Sequence, residues 1–209
     1  MTTSKKLLLN IALLGLGLTL NTSCTNDSPS EDSKEHAEEM NEETLNRDGE
    51  KDADRMVELH TANLFEIAAS ENAASKAVTA EVKKLAAMMV EAHTKMGADM
   101  QAMATKKGIT LPTGMGNDFD REMEKLNEKT GIDFDKEYTD QMKNKHEDAV
   151  KTLERLSEKS EDAEVKQWAS QSIPEIRSHL DMVETTRNTI KDMKSEARGN
   201  DKDHNDGKH

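Results

Sequence analysis

From Asp52 to Met193 the apolar residues of the chain return every three or four positions, a spacing that only an α-helix gathers onto one face. Four such stretches can be traced. The first, from about Asp52 to Ser75, carries Val57, Leu64, Ile67, Ala68 and Ala74. The second starts near Thr79, whose hydroxyl suits an N-cap, and reaches about Lys107 through Val82, Leu85, Met89, Ala92, Met96, Met100 and Met103. Gly108 ends it, and Pro112 prevents its resumption. The third starts near Asp133, where Asp133 and Asp135 complement the positive end of the helix dipole, and is lined by Phe134, Tyr138, Met142, Ala149, Leu153 and Leu156. The fourth runs from about Asp162 to Met193 with Val165, Trp168, Ala169, Ser172, Ile176, Leu180 and Val183. Pro174 inside it removes one backbone donor and is expected to kink it.

Composition supports an all-α chain. Aromatic residues are only 2% of the total, so little favours strands and the core must come from Leu, Ile, Val, Ala and Met. The 13 methionines suit irregular gaps between helices. The turns between the first and second helices and between the third and fourth are short, which makes each pair antiparallel neighbours. The second and third are separated by about two dozen residues with Gly108, Pro112, Gly114, Gly116 and Gly131, and Asp118 to Lys129 can form a short amphipathic helix there through Phe119, Met123 and Leu126. One long crossover is the ferritin-like variant of the four-helix bundle. The expectation is such a bundle over 51–193, its crossover carrying the short extra helix.

Both ends read differently. Lys5 and Lys6 precede an apolar run from Leu7 to Leu20, and Asn21, Thr22 and Ser23 lead to Cys24. This is the layout of a signal peptide over 1–23, too short for a comfortable membrane span. The only cysteine stands where a lipoprotein signal is cut, so Cys24 is the expected lipidation site and the membrane the expected partner. Asn21 departs from the aliphatic residue usual three places before that cysteine. The chain would then be exported and lipid-anchored to the cell envelope, at the outer membrane facing the periplasm or the cell surface. Residues 25–50 hold ten acidic and two basic side chains with few apolar ones, as in an unstructured spacer, so 24–50 is expected to be a disordered tether. Residues 194–209, with His204 and His209, read as a charged disordered tail. A formal net charge of −13 argues against nucleic acid as a partner.

Chemistry concentrates at mid-helix. His93, His146 and His179 sit one to a helix at similar depth, each within or at the edge of its apolar stripe. Imidazole ligates Fe, Zn, Cu and Ni, so the three are candidate ligands of a transition metal ion. Glu66 matches their depth on the first helix but lies opposite its apolar stripe, on a face of Ala62, Ala69 and Ala73. His60 and Glu71 occupy the stripe yet lie nearer the helix ends. Glu175 is one turn before His179 on the same side of the fourth helix and completes the candidate set. The competing reading is a buried polar network that holds no metal.

Several segments together resemble the domain of unknown function 4142, an exported ferritin-like family. They are Asn63-Leu64-Phe65-Glu66-Ile67, Met88 to Lys95 around His93, Lys107 to Pro112, Gly131 to Tyr138, His146, Ile173-Pro174 and His179-Leu180. The resemblance implies the ferritin-like fold and supplies no activity. It also implies an Asp before the second-helix histidine, where this chain has Ala92. Ferritin-like di-iron sites use Glu-x-x-His on two helices, but Val90 and Ile176 stand three residues before His93 and His179, which disfavours a di-iron oxidase. The chain has no nucleophile–base pair, phosphate-binding glycine loop or cysteine cluster. The functions left open are a non-enzymatic metal-binding envelope lipoprotein in metal handling or stress protection, and a structural or interaction module.

Overall fold

A computed structural model describes the backbone over residues 29–205 and the side chains over 33–195. The expected signal peptide and Cys24 lie outside the described residues. Among those described, the secondary structure is all helical: α1 (Pro29–Thr44), α2 (Arg47–Lys76), α3 (Ala80–Lys107), α4 (Asn117–Glu128), α5 (Gly131–Lys159) and α6 (Ala163–Asn205).

The capping chemistry is local. The Thr79 hydroxyl accepts from the Val82 N–H, and α3 ends at Gly108 in the left-handed region at φ 70°, a conformation glycine adopts without penalty. Asp135 does not act on the start of its own helix, as the sequence suggests. It is fully buried and reaches across to α3, accepting from the Val78 and Thr79 N–H groups at 3.1 and 2.8 Å and from the Thr79 hydroxyl at 2.7 Å. Those N–H groups open α3 and have no partner within the helix, so a carboxylate from a neighbouring helix satisfies them.

Each of the four long helices packs against two others: α2 on α3 and α5, and α6 on α5 and α3. Side-chain contacts fix their directions. Asp135 places the end of α2 beside the start of α5. The Ser160 hydroxyl donates to Asp52 at 2.6 Å, which places the start of α2 beside the end of α5. Lys107 pairs with Asp162 at 2.7 Å, which places the end of α3 beside the start of α6. Pro174 is accommodated inside α6, which continues on both sides of it.

Two apolar clusters fill the interior. One centres on Phe65, Leu85, Phe134, Tyr138 and Met142, the other on Met56, Met100, Leu156, Val165 and Ile176. Each fully buried side chain of this size contributes roughly 1.5–3 kcal/mol, so these clusters, more than helix propensity, hold the helices together. Buried polar side chains, Asn63, Glu66, His93, His146 and His179, interrupt the apolar filling.

Three expectations need correction. The tether expected over 24–50 is instead helical from Pro29, and α1 packs on α2. Ala37 and Asn41 are buried, the Asn41 amide donates to Thr110 O at 2.9 Å and accepts from Thr110 N–H at 2.7 Å, and Ser33 Oγ accepts from Gly114 N–H at 3.1 Å. Composition suggested disorder because apolar side chains are few. Hydrogen bonds to the exposed backbone of the α3–α4 connection substitute for them. The charged tail expected from 194 continues α6 to Asn205; Lys194, Glu196, Ala197 and Arg198 favour a helix and no proline intervenes. On α2 only Val57 of the expected stripe is buried, and the inner face lies elsewhere. Ala74 is exposed and Leu64, Ile67 and Ala68 are half-buried, whereas Met56, Phe65, Glu66, Ala69 and Ala73 are sealed. The helix is covered from more than one side, by α1 and α4 as well as by α3 and α5.

Candidate metal centre

His93 on α3, His146 on α5 and His179 on α6 are all buried, and each offers one nitrogen such that the three atoms lie within 4.8 Å of one another. Their ring centroids are 5.2–5.7 Å apart. Three separate helices therefore aim one imidazole each at a single point.

The hydrogen bonds around the rings determine which nitrogens face inward. His146 Nδ1 lies 2.8 Å from Met142 O one turn earlier. A carbonyl only accepts, so Nδ1 carries the proton and Nε2 keeps its lone pair. His93 Nδ1 lies 3.0 Å from Asn63 Oδ1, which in the same way leaves the lone pair on His93 Nε2. The two Nε2 atoms face each other at 3.3 Å. Two acceptors at that distance repel unless a cation or a proton lies between them. Two ligands about 2.0–2.1 Å from a tetrahedral zinc ion stand roughly 3.3 Å apart, which matches the observed spacing. His179 Nδ1 is buried without a hydrogen-bond partner.

Burial holds all three imidazoles in the neutral form that binds metals. It lowers His93 well below its ordinary value, with the neighbouring His146 and His179 adding to the effect. It lowers His146 to about 4, against the Met142 hydrogen bond. It also lowers His179, and there the charge of Glu175 opposes it.

Glu66 resolves in favour of the interior. It is 2% exposed, and Oε2 stands 3.1 Å from His93 Nε2 and 3.3 Å from His146 Nδ1 without a hydrogen bond of acceptable geometry. It borders the three-histidine set and is not within the mutual distance that defines it. Burial pushes its carboxyl up to about 8, opposed by the charge of Lys145. That ammonium sits over the Phe119 and Phe65 rings at 4.6 and 5.6 Å and pairs with Glu122 at 2.8 Å. Glu175 is exposed at the edge of a cleft and influences His179 only through space. That cleft, of about 520 Å³, opens between α2, α3, α5 and α6 and is lined at its inner end by Asn63, Glu66 and His93.

Two supporting residues escape a sequence reading. Asn63, one turn before Glu66 and Ile67 and so on the same side, orients His93. Gly97 makes room for it, since a Cβ there would lie 2.8 Å from Asn63 Nδ2. The i−3 spacing of Asn63 to Glu66 was a usable signal; the role of Gly97 depends on a contact between helices.

A family model, described as a domain of unknown function (DUF4142), matches residues 33–186, and the chain belongs to that family. The match takes in most of α1, all of α2 to α5 and the first part of α6, including His179. No curated protein and no solved structure matches the chain.

Proposed function

We propose that this member of the DUF4142 family is a cell-envelope lipoprotein that binds one transition metal ion (Fe, Zn, Cu or Ni) through His93, His146 and His179, in metal handling or stress protection and without catalysis. The observation that carries the reading is the approach of the two Nε2 atoms to 3.3 Å, with Met142 O behind one ring and the Asn63 side-chain amide behind the other. Such backing partners set the tautomer of a metal-ligating histidine. Glu66 is the nearest carboxylate and the natural fourth group, moving within the cleft to reach an ion. The fold is proposed as a ferritin-like four-helix bundle, since the connection containing α4 joins α3 and α5, which run the same way. Metal content after purification, in the wild type and in a His93→Ala, His146→Ala, His179→Ala variant, tests the site. Near-stoichiometric metal in the first and none in the second is expected; equal, negligible metal in both would end the proposal. The anchor is tested by mass spectrometry of the mature N-terminus, where an unmodified Cys24 would reduce it to a protein without a lipid.

A second reading has its own observation. With its carboxyl pushed up to about 8, Glu66 is protonated at neutral pH and lies 3.1 Å from His93 Nε2. A carboxyl turned to donate that proton, or an Asn63 amide rotated so that it donates to His93 Nδ1, closes a buried network with no ion. A protein that takes up no Fe, Zn, Cu or Ni but loses stability with His146→Ala would favour this structural module.

A further inference from the structure

The cleft that reaches His93 has a wall of thioethers. Met96, Met100 and Met103 line it from α3, and Trp168 lines it from α6. The methionines are three, seven and ten positions on from His93, so one face of α3 carries the buried imidazole and then three thioether side chains.

Other methionines behave differently. Met56, Met89 and Met142 are fully sealed within the apolar clusters, where a flexible side chain fills gaps. Met100 belongs to the second of those clusters and Met96 and Met103 pack against it, but all three also border the open cleft, and Met96 and Met103 are only half-buried. Leucine would supply the same apolar surface with less side-chain freedom. A thioether adds a soft, uncharged ligand that selects monovalent copper over the hard ions that carboxylates attract. Trp168 also borders the cleft, and an indole ring is a favourable neighbour for a cation.

We propose that Met96, Met100 and Met103 form a thioether landing site for Cu(I) on the wall of the cleft that ends at His93. The proposal rests on the histidine centre only for where the ion goes next. The ion keeps its oxidation state throughout, imidazole nitrogens replacing sulfurs as ligands.

Ag(I), a soft ion that does not change oxidation state under these conditions, is the probe. Purified full-length protein is titrated with Ag(I) in chloride-free buffer while the methionine methyl resonances are followed. The Ag(I) affinity is also measured for a Met96→Leu, Met100→Leu, Met103→Leu variant, which keeps the apolar volume. Co(II) uptake, read from its visible spectrum, reports the histidines separately. The methyl groups of these three methionines should shift, and the variant should bind Ag(I) at least tenfold more weakly. Its Co(II) affinity should stay within twofold. Unmoved methyl resonances, or an Ag(I) affinity equal in wild type and variant, would overturn the proposal, and the wild-type spectra decide even if the variant fails to fold. Shifted methyl groups in a protein that takes up no Co(II) would instead end the histidine reading and leave the methionine site standing.

Discussion

His60 and the histidine trio are both buried, yet they are completed in different ways. His60 donates from Nε2 to the Pro112 carbonyl at 3.1 Å, its Nδ1 has no partner, and burial lowers its pKa. Its neighbour is a backbone oxygen of the α3–α4 connection, and the bond ties α2 to that connection. His93 and His146 also each spend one nitrogen on a structural partner, but their second nitrogens meet each other and His179. A buried histidine therefore says little by itself. What distinguishes a candidate site is that the nitrogens left over after structural bonding converge.

The most decisive way to break this comparison is to remove the convergence. With metal at about 100 times its Kd, a single bound ion stabilises the wild type by roughly 2.7 kcal/mol. The His93→Ala, His146→Ala, His179→Ala variant should show no metal-dependent shift in Tm, whereas His60→Ala should keep the full shift. A variant lacking only His60 that lost metal would erase the distinction.

Glu66→Gln sharpens it in metal-free protein. The carboxyl is raised from 4.5 to about 8 on folding, so the unfolded chain loses its proton first. The group costs no stability below pH 4.5, and the cost accumulates as pH rises through that window to about 8. At pH 7 Gln should recover on the order of 3 kcal/mol in chemical unfolding, with the gain vanishing near pH 4.5. The histidines act in the opposite sense. His146 is lowered to about 4, so its stabilising effect is present above pH 6.5 and is lost as pH falls toward 4. Stability of the Gln variant should therefore simply fall on acidification. A gain independent of pH would place the effect elsewhere.

His60→Ala leaves the Pro112 carbonyl without its donor and should cost about 1–3 kcal/mol in unfolding free energy, with metal content unchanged. Asp135→Asn is a control remote from both histidine environments. It replaces one of the two accepting oxygens by an amide N–H, so either Val78 or Thr79 loses its acceptor, and should cost about 1–2 kcal/mol, moving neither metal content nor its pH dependence.

Much of the architecture was legible because it depends on local chemistry. The Thr79 cap, the Gly108 stop, the α4 segment and the short turns between the paired long helices follow from side chains within a turn of the features they control. The three histidines were legible as a set because each lay near an apolar stripe at the same depth. Glu66 was named on its matching depth, but its inward orientation was not legible, because periodicity gives a residue's angle around its own helix and not how many sides of that helix are covered. The same limit hid α1, whose docking depends on an Asn41 amide meeting the backbone of Thr110, a partner 69 residues away.

The sequence alone thus determined an all-helical chain with a histidine on each of three helices, since helix periodicity, caps and stops act over a few residues. The tertiary structure alone decided that these histidines turn one nitrogen each toward a common point, that Glu66 is buried beside them, and that α1 belongs to the fold. Those outcomes depend on the rotation of each helix about its axis and on which backbone carbonyl or amide lies behind each ring, and both are set by packing between segments distant along the chain.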